Sequence, residues 1–296
     1  MRPRLLAPAI ALLLVAGCSG DAPPATAPAR AVLAPEPGVL RLAGSGAFLP
    51  LARALGEAWQ KTSAADLRVV VEDSIGSGGG VRAVVDGAAD IGLVSRPLNV
   101  GESRLDLVVI PVAIDAVLIA ANPDIPVAGV TTPELVSLYG GETRRFSDGS
   151  PAAVLLRDRG ESANLALDLL PGMPAARERS YAVAGRLGFP VLYHDDAMIA
   201  AVALTPGALG VSSLGLLHAS RIPLKILALD GRLPSVEALA NHAWPLTRTL
   251  SFVMRKDRAE RARPFLHFAF SDDARRITRE HDYLPVPAKT ASDHAP

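Results

Sequence analysis

The sequence predicts an α/β fold with mostly parallel sheets, and three observations lead there. Short β-type apolar runs alternate with helical spacings, the pattern of strands covered by helices on both faces. Glycine-rich segments stand where such a run gives way to a helix. The apolar residues are aliphatic: 49% of the 296 residues are hydrophobic but only 4% aromatic, so Ala, Val and Leu must build the core. That length suits one large or two medium domains. Thirty basic against thirty acidic residues argue against a nucleic-acid binder, and a single cysteine excludes a disulfide framework.

The chain opens on an address. Arg2 and Arg4 precede an apolar run over residues 5–16, too short for a spanning helix of about 20 residues. Charge followed by a short apolar stretch matches a secretory signal. The run closes on Val15-Ala16-Gly17-Cys18, which resembles a bacterial lipobox with Cys18 as the lipidated residue. Residues 1–17 are therefore expected to be a lipoprotein signal peptide; the competing reading is an ordinary signal with a chance cysteine. Cleavage would remove Arg2 and Arg4 and leave 28 basic residues against 30 acidic. Residues 18–38 read as the lipidated cysteine and a tether, because five prolines and six alanines offer little surface to bury.

The body begins near residue 39. Strands are expected at 39–43, 67–72, 91–95, 153–156, 225–229 and 249–253. Between residues 107 and 121 two apolar runs are separated by Asp115, which reads as a break. Leu51, Leu55 and Trp59 lie on one face of a helix; Val81, Val84 and Val85 lie on another, after a glycine loop over 76–80. Thr131-Thr132-Pro133-Glu134 is a helix start. Further helices are expected near 162–170 and over 259–279.

Three strand-to-helix loops carry the chemistry: 44–50, 73–80 and 157–164. Ligands of open α/β sheets bind at the carboxyl ends of strands, where backbone N–H groups and helix N-termini favour an anion. Ser45, Ser77 and Ser162 add hydroxyl donors, and Arg157 adds a permanently charged fork. Turn and cap roles would account for any one of these loops; three together point to an oxyanion site. Two enzyme patterns fail on context. Gly78–Ala83 spells a G-x-G-x-x-A, yet it is separated from its strand and lacks the following acidic residue. Ser162 sits one residue short of a nucleophile elbow, leaving a serine-type hydrolase as the alternative. His194-Asp195-Asp196 and His281-Asp282 read as surface turns, and no histidine spacing suggests a metal. Trp59 and Trp244 read as packing residues.

Several motifs together resemble the phosphate-binding proteins of phosphate ABC transporters. They are Gly44-Ser45-Gly46 with Pro50, Gly76-Ser77-Gly78-Gly79-Gly80, the stretch from Asp90 to Pro97, Thr132-Pro133-Glu134-Leu135, Thr205 to Gly210, Trp244 to Arg248, and Tyr283 to Pro287. That resemblance spans residues 39–287. It implies a type II periplasmic-binding-protein fold of two lobes joined by two crossover strands. Lobe 1 would be 38–113 plus 247–290, lobe 2 would be 114–246, and 291–296 would be a disordered tail. It implies phosphate or a related small oxyanion as ligand, held by Gly46, Ala47, Phe48, Ser77, Gly78, Arg96, Arg157 and Ser162. An ABC permease is the implied partner of a monomer that meets the membrane only through its lipid; the same fold used as an anion sensor or signalling partner is a further alternative. No catalysis, cofactor or metal is implied. Two departures stand out: Gly46 and Ala47 offer only backbone N–H where the family offers threonines, and Gly160-Glu161-Ser162-Ala163 replaces Gly-Ser-Gly-Thr.

Overall fold

The computed structural model describes residues 33–62, 67–187 and 191–287. The signal segment, Cys18 and the tail 291–296 lie outside the described residues, as does the tether before residue 33.

Among the described residues twelve strands and ten α-helices follow one another. The first third comprises β1 (Val39–Gly44), α1 (Leu49–Trp59), β2 (Arg68–Val71), α2 (Gly76–Val85), β3 (Ile91–Val94) and the long β4 (Leu107–Ala121). The middle holds β5 (Gly129–Val130), α3 (Thr132–Gly140), β6 (Ala153–Val154), β7 (Leu156–Arg157), α4 (Ser162–Leu167), α5 (Met173–Leu187), β8 (Val191–Leu192), α6 (Asp195–Leu204), β9 (Ala208–Ser213) and α7 (Leu214–Ser220). The chain ends with β10 (Lys225–Leu229), α8 (Val236–Ala240), β11 (Thr247–Arg255), α9 (Ala259–Ala269), α10 (Asp272–Glu280) and β12 (Leu284–Pro285).

Ten strands form one sheet in the order β2-β1-β3-β11-β4-β10-β5, with β12 and β9 branching from β4 and β6 pairing with β9. Its flanks pair in parallel, whereas every antiparallel pairing involves β4 or β11. These two long strands join the parts of the molecule. Residues 107–116 of β4 pair with β11, and from Val117 onward the partners are β9 and β10. The strand does not break at Asp115, contrary to the sequence expectation. Its carboxylate is fully buried but accepts hydrogen bonds from Arg248 Nε and Ser213 Oγ, both at 2.8 Å, so the backbone runs through unbroken.

Each side of that crossing has its own core. On one side Leu40, Leu42, Ile91, Leu93 and Ile110 meet Leu51, Leu55 and Trp59. The few aromatics concentrate there: Phe48 stacks on Phe252 at 5.2 Å, and Trp59 meets Phe265 edge-on at 6.2 Å. On the other side Val117, Ile119, Leu209 and Leu227 pack with Leu135, Leu138 and Trp244. The Trp244 indole donates to the Val117 carbonyl at 2.9 Å, so both tryptophans are indeed packing residues.

Local chemistry sets the boundaries. Thr131 and Glu134 form a reciprocal capping box at α3. The region 259–279 is two helices, because Ser271 caps α10 through the Ala274 N–H. The glycines 76–80 belong to the first turns of α2 rather than to a preceding loop. They let the helix lie against the sheet, since a Cβ on Gly80 would stand 2.8 Å from the Ala43 carbonyl oxygen. Among the described residues no helix is long and apolar enough to cross a membrane.

Candidate functional site

The carboxyl ends of β1, β3, β7 and β9 point toward one buried polar cluster. Ser45 follows β1, Ser95 follows β3, Arg157 ends β7 and Ser213 ends β9. Ser77 comes from the first turn of α2, and Ser162 opens α4 with Glu161 at its N-cap. Asp195 opens α6, and Arg248 enters from the start of β11.

Four serines form a hydrogen-bonded chain centred on Ser95. Its Oγ lies 2.7 Å from Ser45 Oγ, 2.8 Å from Ser162 Oγ and 3.2 Å from Ser77 Oγ. Proton positions follow from counting, because a hydroxyl has one donor and two acceptor sites. Ser162 donates to Glu161 Oε1 at 2.8 Å, so Ser95 must donate to Ser162. Ser45 and Ser77 must then donate to Ser95. All four hydroxyl dipoles are polarised toward the Glu161 carboxylate.

Two buried arginines face the same carboxylate. Arg157 Nη2 lies 2.8 Å from Glu161 Oε2, and Arg248 Nη1 lies 3.6 Å from Oε1 while donating to Ser162 Oγ at 2.8 Å. Burial alone would push the Glu161 carboxyl up, but Arg157, Arg248 and the Ser162 hydroxyl outweigh it and hold it below the usual range. Asp195 behaves oppositely. Its desolvation exceeds the attraction of Arg157 Nη1 at 3.3 Å, so its carboxyl is pushed up. Arg157 Nε and Nη1 and Arg248 Nη2 are buried with no hydrogen-bond partner among the described residues. Such orphan donors are rare and need an explanation.

The expected site residues divide into two groups. Ser77, Ser162 and Arg157 are linked through Ser95 and Glu161, and Gly46 lies beside Asp195. The other group has side chains or carbonyls engaged elsewhere. Arg96 grips Glu102 bidentately at 2.7 and 2.8 Å, although its Nη2 still lies 3.4 Å from where a Gly78 Cβ would stand. The Phe48 ring is in the core, and the Ala47 carbonyl accepts from the Tyr283 hydroxyl at 2.8 Å.

Sequence reasoning assigned no role to Ser95, Asp115, Arg248 or Asp195. Ser95 carried a signal as the last residue of a strand, but Arg248 reaches Ser162 across 86 positions. The surface-turn reading of His194-Asp195-Asp196 needs correction at its middle residue: His194 and Asp196 are exposed, whereas Asp195 is 6% exposed against Arg157. Among the described residues no group of three or more His, Cys, Asp or Glu side chains could hold a metal. Ser162 has Ser95, Glu161 and Arg248 as partners, and among the described residues no histidine hydrogen-bonds to it.

A two-part sheet with an anion-facing cluster where its parts meet is the architecture of a solute-binding protein. The chain matches the family model described as a PBP superfamily domain over residues 27–273, and it belongs to that superfamily. Protein SphX of Synechococcus elongatus is 26% identical over 267 residues, covering 83% of this chain and 77% of that protein. The phosphate-binding protein PstS of Bacillus subtilis is 25% identical over 257 residues, covering 84% and 81%. Among solved structures, an ABC-type phosphate transport receptor from Vibrio cholerae superposes with a TM-score of 0.59 at 22% identity, over 84% of this chain and all of that one. A Clostridium perfringens protein with bound phosphate, described as a phosphate ABC transporter substrate-binding protein, reaches 0.72 at 19% identity with the same coverage. At these identities the two structures speak for the fold alone. The chain is a binding protein of this superfamily rather than an enzyme.

Proposed function

We propose that this protein captures phosphate or a related small oxyanion between two lobes, 38–113 plus 247–290 and 114–246, and delivers it to an ABC permease. One observation carries the reading: buried N–H donors of Arg157 and Arg248 that no described protein group takes, at the end of a serine chain polarised toward an anion. In this structure the Glu161 carboxylate holds the neighbouring Arg157 Nη2. An incoming oxyanion would take Arg157 and Ser162 in its place, with Glu161 rotating outward from the N-cap of α4. The phosphate-binding relatives support phosphate as the first ligand to test. The address segment supports a lipid-anchored monomer on the outer, periplasmic face of a bacterial membrane, fixed through Cys18.

Titration calorimetry of the full chain with inorganic phosphate tests the capture step. One site per chain with heat release is expected, and compaction in small-angle scattering should accompany it as the lobes close. Absence of binding for phosphate, arsenate and sulfate alike would overturn the reading.

A further inference from the structure

The charges of the cluster do not balance for a simple anion. With Glu161 turned outward, Arg157 and Arg248 still face two buried carboxylates, Asp195 and Asp115, while Arg96 is already matched by Glu102. Two cations against two anions leave no net positive charge to offset a bare oxyanion in a buried site. A ligand that brings its own positive charge removes that conflict.

Asp195 is placed to receive such a charge. Among the described residues it accepts no hydrogen bond, and its ion-pair partner there is Arg157 Nη1 at 3.3 Å. Its Oδ2 stands over Gly46, where a Cβ would come within 2.5 Å, so only glycine leaves room for it there. Asp195 and Gly46 also line a cavity of about 650 Å³ between α1, α6 and α7. That is the size of a small organic ligand's site and far more than a tetrahedral oxyanion fills. Leu49, Ile199 and Leu216 supply an apolar wall, and the lining also holds Asp196 and Asp73, the latter paired with Arg53 at 3.2 Å. A buried carboxylate without hydrogen bonds thus joins the anion-facing cluster to a mostly apolar cavity.

Resting on the oxyanion reading above, we infer that the ligand is an oxyanion with a short cationic substituent, of the aminoalkyl phosphate or phosphonate class. The oxyanion sits on Arg157, Arg248 and Ser162, the ammonium group meets Asp195, and the connecting chain lies along the apolar wall.

Calorimetry with the full chain and three probes tests this: inorganic phosphate, ethyl phosphate and 2-aminoethyl phosphate. The two esters share a carbon skeleton and differ in the ammonium group. The aminoethyl ester should bind at least about tenfold more tightly than the ethyl ester, a difference of about 1.4 kcal/mol. In Asp195→Asn the ratio between the two esters should fall toward unity, and this ratio remains readable if both affinities drop. Equal affinity of the esters for the wild type, or phosphate binding with exclusion of both esters, overturns this inference and leaves the oxyanion reading standing. Failure of all three probes overturns both. Binding of the aminoethyl ester without binding of phosphate supports the inference in its strongest form.

Discussion

Arg96 and Arg157 each lie at the end of a strand, before a loop, and the sequence offers little to rank them. Their surroundings differ completely. Both forks of Arg96 end on Glu102, which is itself tied to the Asn99 N–H at 2.8 Å, so this arginine holds its own loop together. Arg157 is buried, touches two carboxylates from different elements, and keeps two nitrogens, Nε and Nη1, without a hydrogen bond among the described residues. A saturated arginine is part of the scaffold, whereas an unsaturated buried one is available to a ligand. Strand-end position identifies candidates; hydrogen-bond satisfaction separates them.

The largest effect that would sharpen this contrast is the loss of Arg157. Arg157→Ala removes charge-assisted bonds of roughly 1.5–3 kcal/mol, so oxyanion affinity should fall about ten- to a hundredfold or more. It also leaves Asp195 buried without its ion-pair partner and Glu161 with Arg248 alone, which should cost roughly 3–5 kcal/mol of stability in urea unfolding. Arg96→Ala should change affinity by less than about threefold, since its donors are already occupied. Equal losses in calorimetry for the two variants would break the comparison.

Gly46→Ala comes next. The added methyl would meet Asp195 Oδ2 at 2.5 Å and must push α6 or the carboxylate aside. Overpacking of this kind costs roughly 1–3 kcal/mol, measurable as a lowered urea midpoint. A midpoint equal to that of the wild type would mean that Asp195 does not stand over Gly46 in solution.

Glu161→Ser should tighten binding of inorganic phosphate, by about tenfold at low ionic strength and by less at 0.5 M salt, because screening weakens the repulsion that is removed. Unaltered affinity across the salt series would show that Glu161 does not compete with the ligand.

The smallest effect is on acid stability. The folded Glu161 carboxyl is held below its ordinary value, so its contribution is fully present above the unfolded pKa of about 4.3 and is lost as pH falls through the lower folded value. Glu161→Gln should therefore flatten the fall in urea midpoint below pH 5. Asp195 has the opposite sign, its raised carboxyl lowering stability as pH rises past the unfolded value, so Asp195→Asn should flatten the slope on the neutral side.

Much of the scaffold was legible from local pattern. The period of Leu51, Leu55 and Trp59, the capping box at Thr131 and the apolar run into Ser95 all report on neighbours within a few residues. The charged part of the candidate site was not. Asp115 reads as a strand breaker until Arg248, 133 positions away, neutralises it, and Asp195 reads as a turn residue until Arg157 covers it. Burial of a charge depends on a partner that local periodicity cannot display. Glu161 is the intermediate case. Its departure from the family pattern was visible as an odd residue in a glycine-serine loop, but its place at the end of the serine chain required coordinates.

The saturation of Ser95 has an evolutionary consequence. Its single proton and two lone pairs are all engaged, so replacing Ser95 or Ser162 forces the protons of the remaining serines to reorient. Substitutions within such a network are non-additive by nature. Drift through this cluster must therefore proceed by paired or compensated replacements. A lineage that once exchanged a hydroxyl for the Glu161 carboxylate would find the way back blocked until its neighbours changed as well.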